Sequence, residues 1–249
     1  MKLYHELAES YFAIEKNHRD IRRDVSFITA LLRGRKHATL LDLGCGTGEH
    51  LALLEREGIR CTGVDISEDM IAVAGKRYPN IEFVRTDMTD IEYDAAFNIV
   101  ISLFGSFNYL INDADIESML MKLRKALKTG GVGVFEIWNS QPILKIKEKG
   151  IGPVSMTSHN GELIKRERGF KLRNDPFKTV VEVNYQYTID GVGHKSIRDR
   201  HIMRTFISDE ITRFLAGAGF TVKNIYANFL SEPYDENSSR MVVVFVRTA

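Results

Sequence analysis

Short apolar runs alternate with amphipathic stretches along most of the chain. Five runs have the length and composition of strands buried on both faces, at residues 38–41, 61–65, 81–84, 97–101 and 132–137. Between them, apolar residues recur at helical spacing, most clearly at residues 114–127 and at Ile21, Val25 and Ile28. We expect two helices over residues 3–33. Alternating strands and helices predict a doubly wound α/β fold, with a parallel sheet covered on both faces.

From about residue 139 the pattern changes to a two-residue period. Apolar and polar residues alternate over three segments, residues 163–173, 179–189 and 195–206. A glycine-rich segment at residues 190–193 favours a hairpin between the last two. We therefore predict an antiparallel sheet inserted between the fifth strand and the next helix.

Polar and glycine residues mark several element ends. Gly130 follows the helix before the fifth strand and is a candidate for its C-cap. Ser67 and Ser208 precede acidic residues and are candidates for helix N-caps. Two further apolar strands at residues 221–226 and 241–246 predict a final hairpin.

The most informative stretch follows the first strand and has the sequence LDLGCGTGEH, residues 41–50. Gly44, Gly46 and Gly48 alternate there, which allows positive φ and close approach of a ligand to the backbone. A strand, a glycine turn and a helix N-terminus cradle a nucleotide-type ligand, because free N–H groups and the helix dipole point at it. Asp65 ends the second strand 21 residues after Gly44. An acid at about 20 residues accepts hydrogen bonds from ribose hydroxyls.

The composition is that of a globular protein. The 249 residues are 44% hydrophobic and 27% charged, and the net charge of +1 gives no reason to expect nucleic acid as a partner. No apolar run approaches the ~20 residues of a membrane span, and the N-terminus lacks the pattern of a signal peptide. Cys45 and Cys61 do not have metal-ligand spacing, so we expect no metal site and a cytoplasmic location.

The inserted segment differs in charge from the rest of the chain. Residues 145–206 contain 13 Lys or Arg and 7 Asp or Glu, a net charge of +6. One interpretation of this charge is that the polar faces of the strands are exposed to solvent. The other is that the insertion forms a lid that attracts an anionic substrate. The sequence leaves both interpretations open.

The pattern Asp-Leu-Gly-x-Gly-x-Gly at residues 42–48 resembles motif I of the class I S-adenosylmethionine-dependent methyltransferases. It differs from the Gly-x-Gly-x-x-Gly spacing of dinucleotide-binding proteins. The sequence VDIS at residues 64–67, and Asp87 with Met88 after the third strand, match the same family. The resemblance implies S-adenosylmethionine as cofactor. It also implies a Rossmann-like sheet of seven strands with an antiparallel last strand and helices on both faces.

The resemblance further implies one methyltransferase domain over residues 1–249, with N-terminal helices at residues 1–34 folding over the cofactor and residues 139–206 forming the β lid. It assigns these residues to the cofactor: Asp42, Gly44, Cys45, Gly46, Gly48, Asp65, Ile66, Met70, Asp87, Met88, Ser102 and Leu103.

Within the family, the chain resembles the branch that contains N,N-dimethyltransferases of nucleotide-linked amino sugars. The shared features are Tyr11, the segment LFGS leading to Tyr109, the sequence EIW ending at Trp138, the basic insertion, and Arg240 at the start of the last strand. The chain departs from these enzymes at Tyr109, where they have a histidine, and at Ile21, where they have a tyrosine. The resemblance implies a small-molecule acceptor, anionic or nucleotide-linked, and a homodimer formed through the inserted sheet.

The implied reaction is an in-line methyl transfer, with an amine as the favoured acceptor. Orientation can supply ~7–11 kcal/mol of the barrier, and a base is needed only for an acceptor that arrives protonated. The catalytic candidates are Tyr109, Tyr11, Arg240 and Trp138. The tyrosines would orient the acceptor, Arg240 would bind an anionic group and Trp138 would wall the pocket. His201 is a further candidate, although a lone strand histidine is more often structural.

Other functions remain open at this stage. The basic insertion would also serve an RNA or protein methyltransferase as a docking surface. A module that binds the cofactor without turnover has the same motif I. An NAD-dependent oxidoreductase is disfavoured by the glycine spacing.

Overall fold

The computed structural model describes residues 1–16, 19–35, 37–191 and 193–248. Its strands in chain order are β1 (Thr39–Leu43), β2 (Arg60–Asp65), β3 (Glu82–Arg85), β4 (Phe97–Ser102), β5 (Leu127–Trp138), β6 (Glu148–His159), β7 (Glu162–Leu172), β8 (Thr179–Asp190), β9 (His194–Thr205), β10 (Phe220–Tyr226) and β11 (Arg240–Arg247). Its α-helices are α1 (Tyr11–Glu15), α2 (Ile21–Leu31), α3 (Glu49–Arg56), α4 (Glu68–Arg77), α5 (Asp113–Ala126), α6 (Ser140–Ile146) and α7 (Ser208–Gly217).

Seven strands form the central sheet, in the order β10-β11-β5-β4-β1-β2-β3. Strands β1 to β5 are parallel, and β11 runs antiparallel to both β5 and β10. This confirms the predicted doubly wound sheet with an antiparallel last strand. The strand order reverses between β1 and β4, so the ligand crevice of such a sheet is expected at the carboxyl ends of these two strands.

Alternating side chains of the central strands bury both faces of the sheet. In β1, Leu41 packs into the core under α5 and α7, whereas Leu40 packs into the core under α2 and α3. In β4, Val100 and Ile101 divide in the same way. Both faces are covered by helices, which explains why these strands are apolar throughout.

The insertion forms a second sheet, in the antiparallel order β6-β7-β8-β9, which we call the lid sheet. Strands β7, β8 and β9 lie within two residues of their predicted bounds. Residue 192 of the predicted hairpin lies outside the described residues, and Gly191 donates its N–H to the carbonyl of Gly193. The prediction missed α6 and β6. Strand β6 was missed because it contains Gly150, Gly152 and Pro153 and has no two-residue period.

Two predicted caps are wrong. Helix α5 ends at Ala126 with Leu127 as its C-cap, and the chain enters β5 directly, so Gly130 lies inside a strand with φ 70°. Ser208 is the first residue of α7, and its N-cap is Ile207 without a side-chain cap. Ser67 is the N-cap of α4 as predicted, and its hydroxyl accepts the N–H of Met70 at 3.4 Å.

The N-terminal segment differs from the two predicted helices. Helix α2 forms with Asp20 as its N-cap, but the earlier part is broken into 3-10 turns at Lys2–Tyr4 and Ala8–Ser10 before the short α1. Leu3, Leu7 and Ile14 are buried against the lid sheet, so tertiary contacts rather than helical periodicity shape this segment. No helix among the described residues is long and apolar enough to cross a membrane.

Candidate active site

The glycine turn is fixed by the end of β2. The backbone N–H groups of Gly44 and Cys45 both donate to the carbonyl of Val64, at 2.8 and 3.0 Å. Gly44 has φ 82°, and a Cβ at this position would lie 2.5 Å from Oγ of Ser106. Both its conformation and its close packing therefore require glycine.

The carboxylate of Asp65 faces the same turn. Its Oδ2 accepts the N–H of Gly46 at 2.9 Å and its Oδ1 accepts the N–H of Ser67 at 2.9 Å. Burial raises the pKa of Asp65, while the hydrogen bonds from Ser67, Gly46 and Ile66 oppose this. The carboxylate is therefore held rigidly at the end of β2, with lone pairs left for a ligand.

Asp42 lies behind the turn and is only 3% exposed. Its Oδ1 has no hydrogen-bond partner among the described residues. Burial, and secondly the charge of Asp65, raise the pKa of Asp42 to about 8. A buried polar atom without a partner is costly, so this oxygen indicates a place where a ligand or a bridging water completes the site.

Three cavities meet at this edge of the sheet. The strand-edge cavity, about 330 Å³, is lined by Asp65, Ile66, Asp87 and Met88 beside the glycine turn. The turn cavity, about 40 Å³, lies on the other side of the turn and is lined by Asp42, Cys45, His50 and Leu103. The lid cavity, about 280 Å³, lies under the lid sheet and is lined by Arg19, Trp138, Arg166, Arg168, Tyr185 and Arg240.

Four aromatic residues connect these cavities. Tyr11 and Phe104 line all three, and Tyr4 and Tyr109 line both the strand-edge and the lid cavity. Phe104 has φ 55°, a strained conformation for a bulky residue, and its N–H donates to Oε2 of Glu136 at 2.8 Å. This arrangement places the aromatic residues between the strand-edge cavity and the lid cavity.

Most of the sequence-predicted residues meet at the cavities, but three of the cofactor residues do not line any of them. Gly48 has φ 82° and starts α3, with the ring of Phe83 where a side chain would be. Met70 is fully buried in a small cluster with Ala8 and Val73. The hydroxyl of Ser102 is turned inward and donates to the carbonyl of Leu43 at 3.1 Å. These three residues support the site from behind.

A network of charges forms one end of the lid cavity. Glu136 accepts hydrogen bonds from the guanidinium groups of Arg19 and Arg240, and the one from Arg240 is 2.5 Å long. Arg19 also donates to Asp24, at 2.5 Å. Burial of Glu136 opposes its ionisation, but the two arginines outweigh this and lower its pKa to about 2. Arg240 therefore pairs with an internal carboxylate and remains half exposed to the cavity.

A second polar network lies behind Tyr109. Its Oη lies 2.5 Å from Nδ1 of His201, and Nε2 of His201 lies 2.9 Å from Oδ2 of Asp199. Tyr4 contacts Tyr109 from the other side, with 2.8 Å between the two hydroxyl oxygens. His201 was only a further candidate from the sequence, and the structure places it in direct contact with the catalytic candidate Tyr109.

Several residues of the site were missed from the sequence. Arg166 and Arg168 were considered only as part of the basic insertion. They lie two residues apart on β7, and this spacing could have predicted that both side chains lie on the same face of the lid sheet. Asp199 and His201 have the same spacing on β9. No local pattern distinguishes Tyr4 or Phe104, whose placement depends on the folding of the whole chain.

Comparison with known proteins agrees with this geometry. Residues 40–131 match the family model described as a methyltransferase domain. A protein of Geobacillus sp. (strain WCH70) that is named as a methyltransferase is 30% identical over 226 residues, which cover 88% of this chain and 90% of the relative. The dTDP-3-amino-3,4,6-trideoxy-alpha-D-glucopyranose N,N-dimethyltransferase of Streptomyces venezuelae is 28% identical over 207 residues, covering 82% and 85% of the two chains.

Solved structures share the fold over the whole length. An S-adenosylmethionine-dependent methyltransferase from Clostridium acetobutylicum superposes with a TM-score of 0.84 at 17% identity, covering 99% of both chains. Streptomyces venezuelae DesVI superposes with a TM-score of 0.79 at 23% identity, covering 98% of both chains. From its motif I, its sheet and these relatives, the chain belongs to the class I S-adenosylmethionine-dependent methyltransferases.

Proposed function

We propose that the protein methylates the amino group of an anionic small molecule that binds in the lid cavity. One observation supports this most strongly. The strand-edge and lid cavities share Tyr4, Tyr11, Phe104 and Tyr109, so a cofactor and an acceptor in the two cavities would meet at this aromatic group.

The residues at the glycine turn fit S-adenosylmethionine. The carboxylate of Asp65 suits ribose hydroxyls, and Asp87 and Met88, which line the strand-edge cavity, suit the adenine. The unpartnered Oδ1 of Asp42 indicates an incomplete polar site beside the turn. The cofactor carries cationic groups that a carboxylate in this position would bind. When bound, it supplies a methyl group on a sulfonium, already activated for transfer.

The charge of the lid cavity suits an anionic acceptor. Arg168 lines the cavity and stacks over the ring of Trp138 at 5.9 Å, and no carboxylate among the described residues pairs with it. The NH2 group of Arg19 is buried there without a partner among the same residues. Together with Arg240, they offer donors in the planar geometry that phosphate and carboxylate oxygens accept bidentately.

Relatives narrow the substrate class further. The Streptomyces venezuelae relative is named as an N,N-dimethyltransferase of a dTDP-linked 3-amino sugar. A Streptomyces fradiae relative, 27% identical over 228 residues, is named as an N,N-dimethyltransferase of a related dTDP-linked amino sugar. A nucleotide diphosphate supplies the anionic group and the amino sugar supplies the nitrogen. We therefore infer that a nucleotide-linked amino sugar is the acceptor class, with Trp138 as a wall of its pocket.

The basic charge of the insertion gives less support to nucleic-acid docking. Many of its cations pair with carboxylates, including Arg166 with Glu15 at 2.9 Å and Arg204 with Glu210 at 2.6 Å. Lys195 likewise pairs with Glu6 at 3.0 Å. Such pairs neutralise the surface that would otherwise attract a phosphate backbone.

Calorimetric titration with S-adenosylmethionine is the first test. We expect micromolar binding that Asp65→Ala weakens at least tenfold. Asp90→Ala is the matched control, because Asp90 is an exposed acid in the loop after β3 that pairs with Lys122, and its binding should equal that of the wild type. Absence of binding at millimolar cofactor, or equal binding by Asp65→Ala, would contradict the cofactor assignment.

The acceptor is tested by mass spectrometry on four probes. These are the dTDP-linked 3-amino sugar, the same amino sugar as an uncharged methyl glycoside, an RNA oligonucleotide and a lysine-containing peptide. We expect one or two methyl groups on the first probe and little on the second. Methylation of only RNA or peptide would replace our proposal. Cofactor binding without methylation of any probe would indicate a non-catalytic binding module.

Two further expectations remain proposals. We infer a homodimer through the lid sheet, where Ile151 and Leu163 are exposed, and its test is the molar mass in solution by light scattering. We also infer a cytoplasmic location from the free thiols of Cys45 and Cys61, which localisation of a tagged chain would test.

A further inference from the structure

A chain of hydrogen bonds runs from two of the aromatic residues that the cavities share into the lid sheet. It passes from Tyr4 through Tyr109 and His201 to Asp199, with separations of 2.8, 2.5 and 2.9 Å. The two tyrosines face both cavities, whereas His201 is 1% exposed and lines neither. The hydroxyl of Tyr109 therefore links a group in the cavities to His201.

The partners of His201 fix its neutral tautomer. Burial opposes ionisation of Asp199, but hydrogen bonds from His201 and from the N–H of Leu3 outweigh it and hold the pKa of Asp199 below its ordinary value. A carboxylate only accepts, so Nε2 of His201 carries the hydrogen that faces it. Nδ1 is then free to accept the hydroxyl hydrogen of Tyr109, which leaves the lone pairs of that hydroxyl for Tyr4 and for the cavities.

We propose that Tyr109, backed by His201 and Asp199, removes a proton from an acceptor amine that arrives as an ammonium ion. The inference rests on the proposed N-methylation, because most aliphatic amines are protonated at neutral pH and an ammonium has no lone pair. Tyr109 is the residue that contacts the acceptor. His201 and Asp199 are positioning residues that act through it.

The proton transfer balances without any further reactant. The ammonium N–H bond breaks and its proton goes to Oη of Tyr109, as the original hydroxyl proton of Tyr109 moves to Nδ1 of His201. The nitrogen keeps the electron pair of the broken bond and uses it to form the bond to the methyl carbon. The methyl–sulfur bond breaks at the same time, and its electron pair stays on the sulfur of the neutral thioether that leaves. The positive charge ends on the His201 imidazolium, 2.9 Å from the Asp199 carboxylate. The proton returns to solvent once the product has left.

The surroundings favour this relay over an isolated tyrosinate. Burial raises the pKa of Tyr109 well above its ordinary value, so an isolated phenolate is strongly disfavoured. In the relay the phenol loses one proton while it gains another. The titratable groups that face His201 are Tyr4, Tyr109, Tyr185 and Asp199, and the ring of Tyr185 packs against it with 4.9 Å between centroids. The Asp199 carboxylate therefore lies beside the position where the positive charge arrives.

The chain contains its own control on the same strand. His194 on β9 also pairs with an aspartate, with its Nδ1 2.6 Å from Oδ1 of Asp190. This pair is exposed at the tip of the lid sheet and lines neither cavity. His194→Gln therefore removes a histidine–aspartate pair of the lid without touching the relay.

The first test is the pH profile of kcat/KM with the dTDP-linked 3-amino sugar. Tyr109→Phe and His201→Gln should lower it ~10²- to 10⁴-fold at pH 7. The loss in kcat/KM should shrink about tenfold for each unit by which the pH is raised towards the pKa of the amine. The fraction of neutral amine, which needs no base, rises by the same factor. His194→Gln should match the wild type, and the cofactor Kd should be unchanged in all variants. A loss that is equal at every pH, or no loss, would overturn the relay.

The second test needs no acceptor. Nitrogen NMR of histidine-labelled protein should show His201, identified by its absence in His201→Gln, as the tautomer protonated at Nε2. Tyr109→Phe should shift its Nδ1 resonance and leave that of His194 unchanged. An Nδ1-protonated His201, or no shift, would overturn the relay even if amines are methylated. If no amine is methylated, the proposed function fails, and the NMR result still decides whether the relay exists.

Discussion

The carboxylate of Glu15 and the guanidinium of Arg166 form an ion pair of 2.9 Å that joins α1 to the lid sheet. Both side chains are largely buried, 13% and 6% exposed, and Arg166 also packs over the ring of Tyr185. Tyr4 and Tyr11 belong to the same N-terminal segment, and Tyr185 belongs to the lid sheet. The pair therefore holds together two walls of the lid cavity.

Removal of one partner should destabilise the fold strongly. Glu15→Gln leaves the Arg166 charge buried without a carboxylate, and such a loss costs about 3–5 kcal/mol. Urea unfolding measures it. Lys195→Met is the matched control, since Lys195 pairs with Glu6 across the same two segments but at an exposed position, where solvent screens the pair and its loss costs little stability. The double variant Glu15→Gln/Arg166→Met should recover part of the loss. Equal effects of the buried and exposed variants would contradict this role.

Alanine at two glycines should separate backbone strain from closure of the cofactor site. Gly44 and Gly58 have nearly the same conformation, φ 82° and 81°, but only at Gly44 would a Cβ meet a neighbour, Ser106. Each substitution should cost about 1–2 kcal/mol of stability from the left-handed backbone. Only Gly44→Ala should also weaken S-adenosylmethionine binding, by at least tenfold, as measured by calorimetry. Weakened binding in Gly58→Ala would show that general destabilisation is responsible.

The central sheet could be predicted from the sequence because its determinants are local. Buried parallel strands are continuous apolar runs, and the turn at Gly44 requires glycine at spacings visible in the sequence. Asp65 was found because it ends the second strand at the expected offset from the glycine turn, and Asp87 because it matches the methyltransferase family after the third strand. The lid strands β7, β8 and β9 were found because one face is apolar and the other polar.

The contacts on the acceptor side could not be predicted because they join distant parts of the chain. Tyr109 meets His201, 92 residues later, only when β9 of the lid sheet packs against the 3-10 turn that follows β4. Tyr4 reaches Tyr109 because its segment breaks into 3-10 turns that pack against the lid sheet, whereas we expected a helix there. Burial of Glu136 between Arg19 and Arg240 likewise has no signature in any one segment.

Loss of the Arg168 charge in the lid cavity should weaken acceptor binding and leave cofactor binding unchanged. Arg168→Met keeps most of the apolar stem over Trp138 but removes the charge, so KM for the dTDP-linked amino sugar should rise about 10- to 100-fold, a loss of ~1.4–2.8 kcal/mol. Arg173→Met is the control, because Arg173 is exposed beyond the end of β7 and should leave KM unchanged. The effect should diminish at high salt. An unchanged KM in Arg168→Met would remove the arginine from the acceptor site.

The buried carboxyl of Asp42 should make the protein less stable as the pH rises. Its pKa is raised from 3.8 to about 8 in the folded state by burial, and secondly by the charge of Asp65. Between these values the folded chain binds more protons than the unfolded chain, so the free energy of unfolding falls with increasing pH. The contribution is fully present below about pH 4 and is lost as the pH passes through 8.

Comparison with Asp42→Asn isolates this effect from the other titrating groups. Between pH 5 and pH 7 the wild type should lose up to about 1.4 kcal/mol per pH unit relative to Asp42→Asn, measured by urea unfolding without cofactor. Asp90→Asn, at an exposed acid, should keep the profile of the wild type. Parallel profiles for the wild type and Asp42→Asn would mean that Asp42 is already ionised in the folded chain. An ionised Asp42 would bind the cationic groups of the cofactor without first releasing a proton.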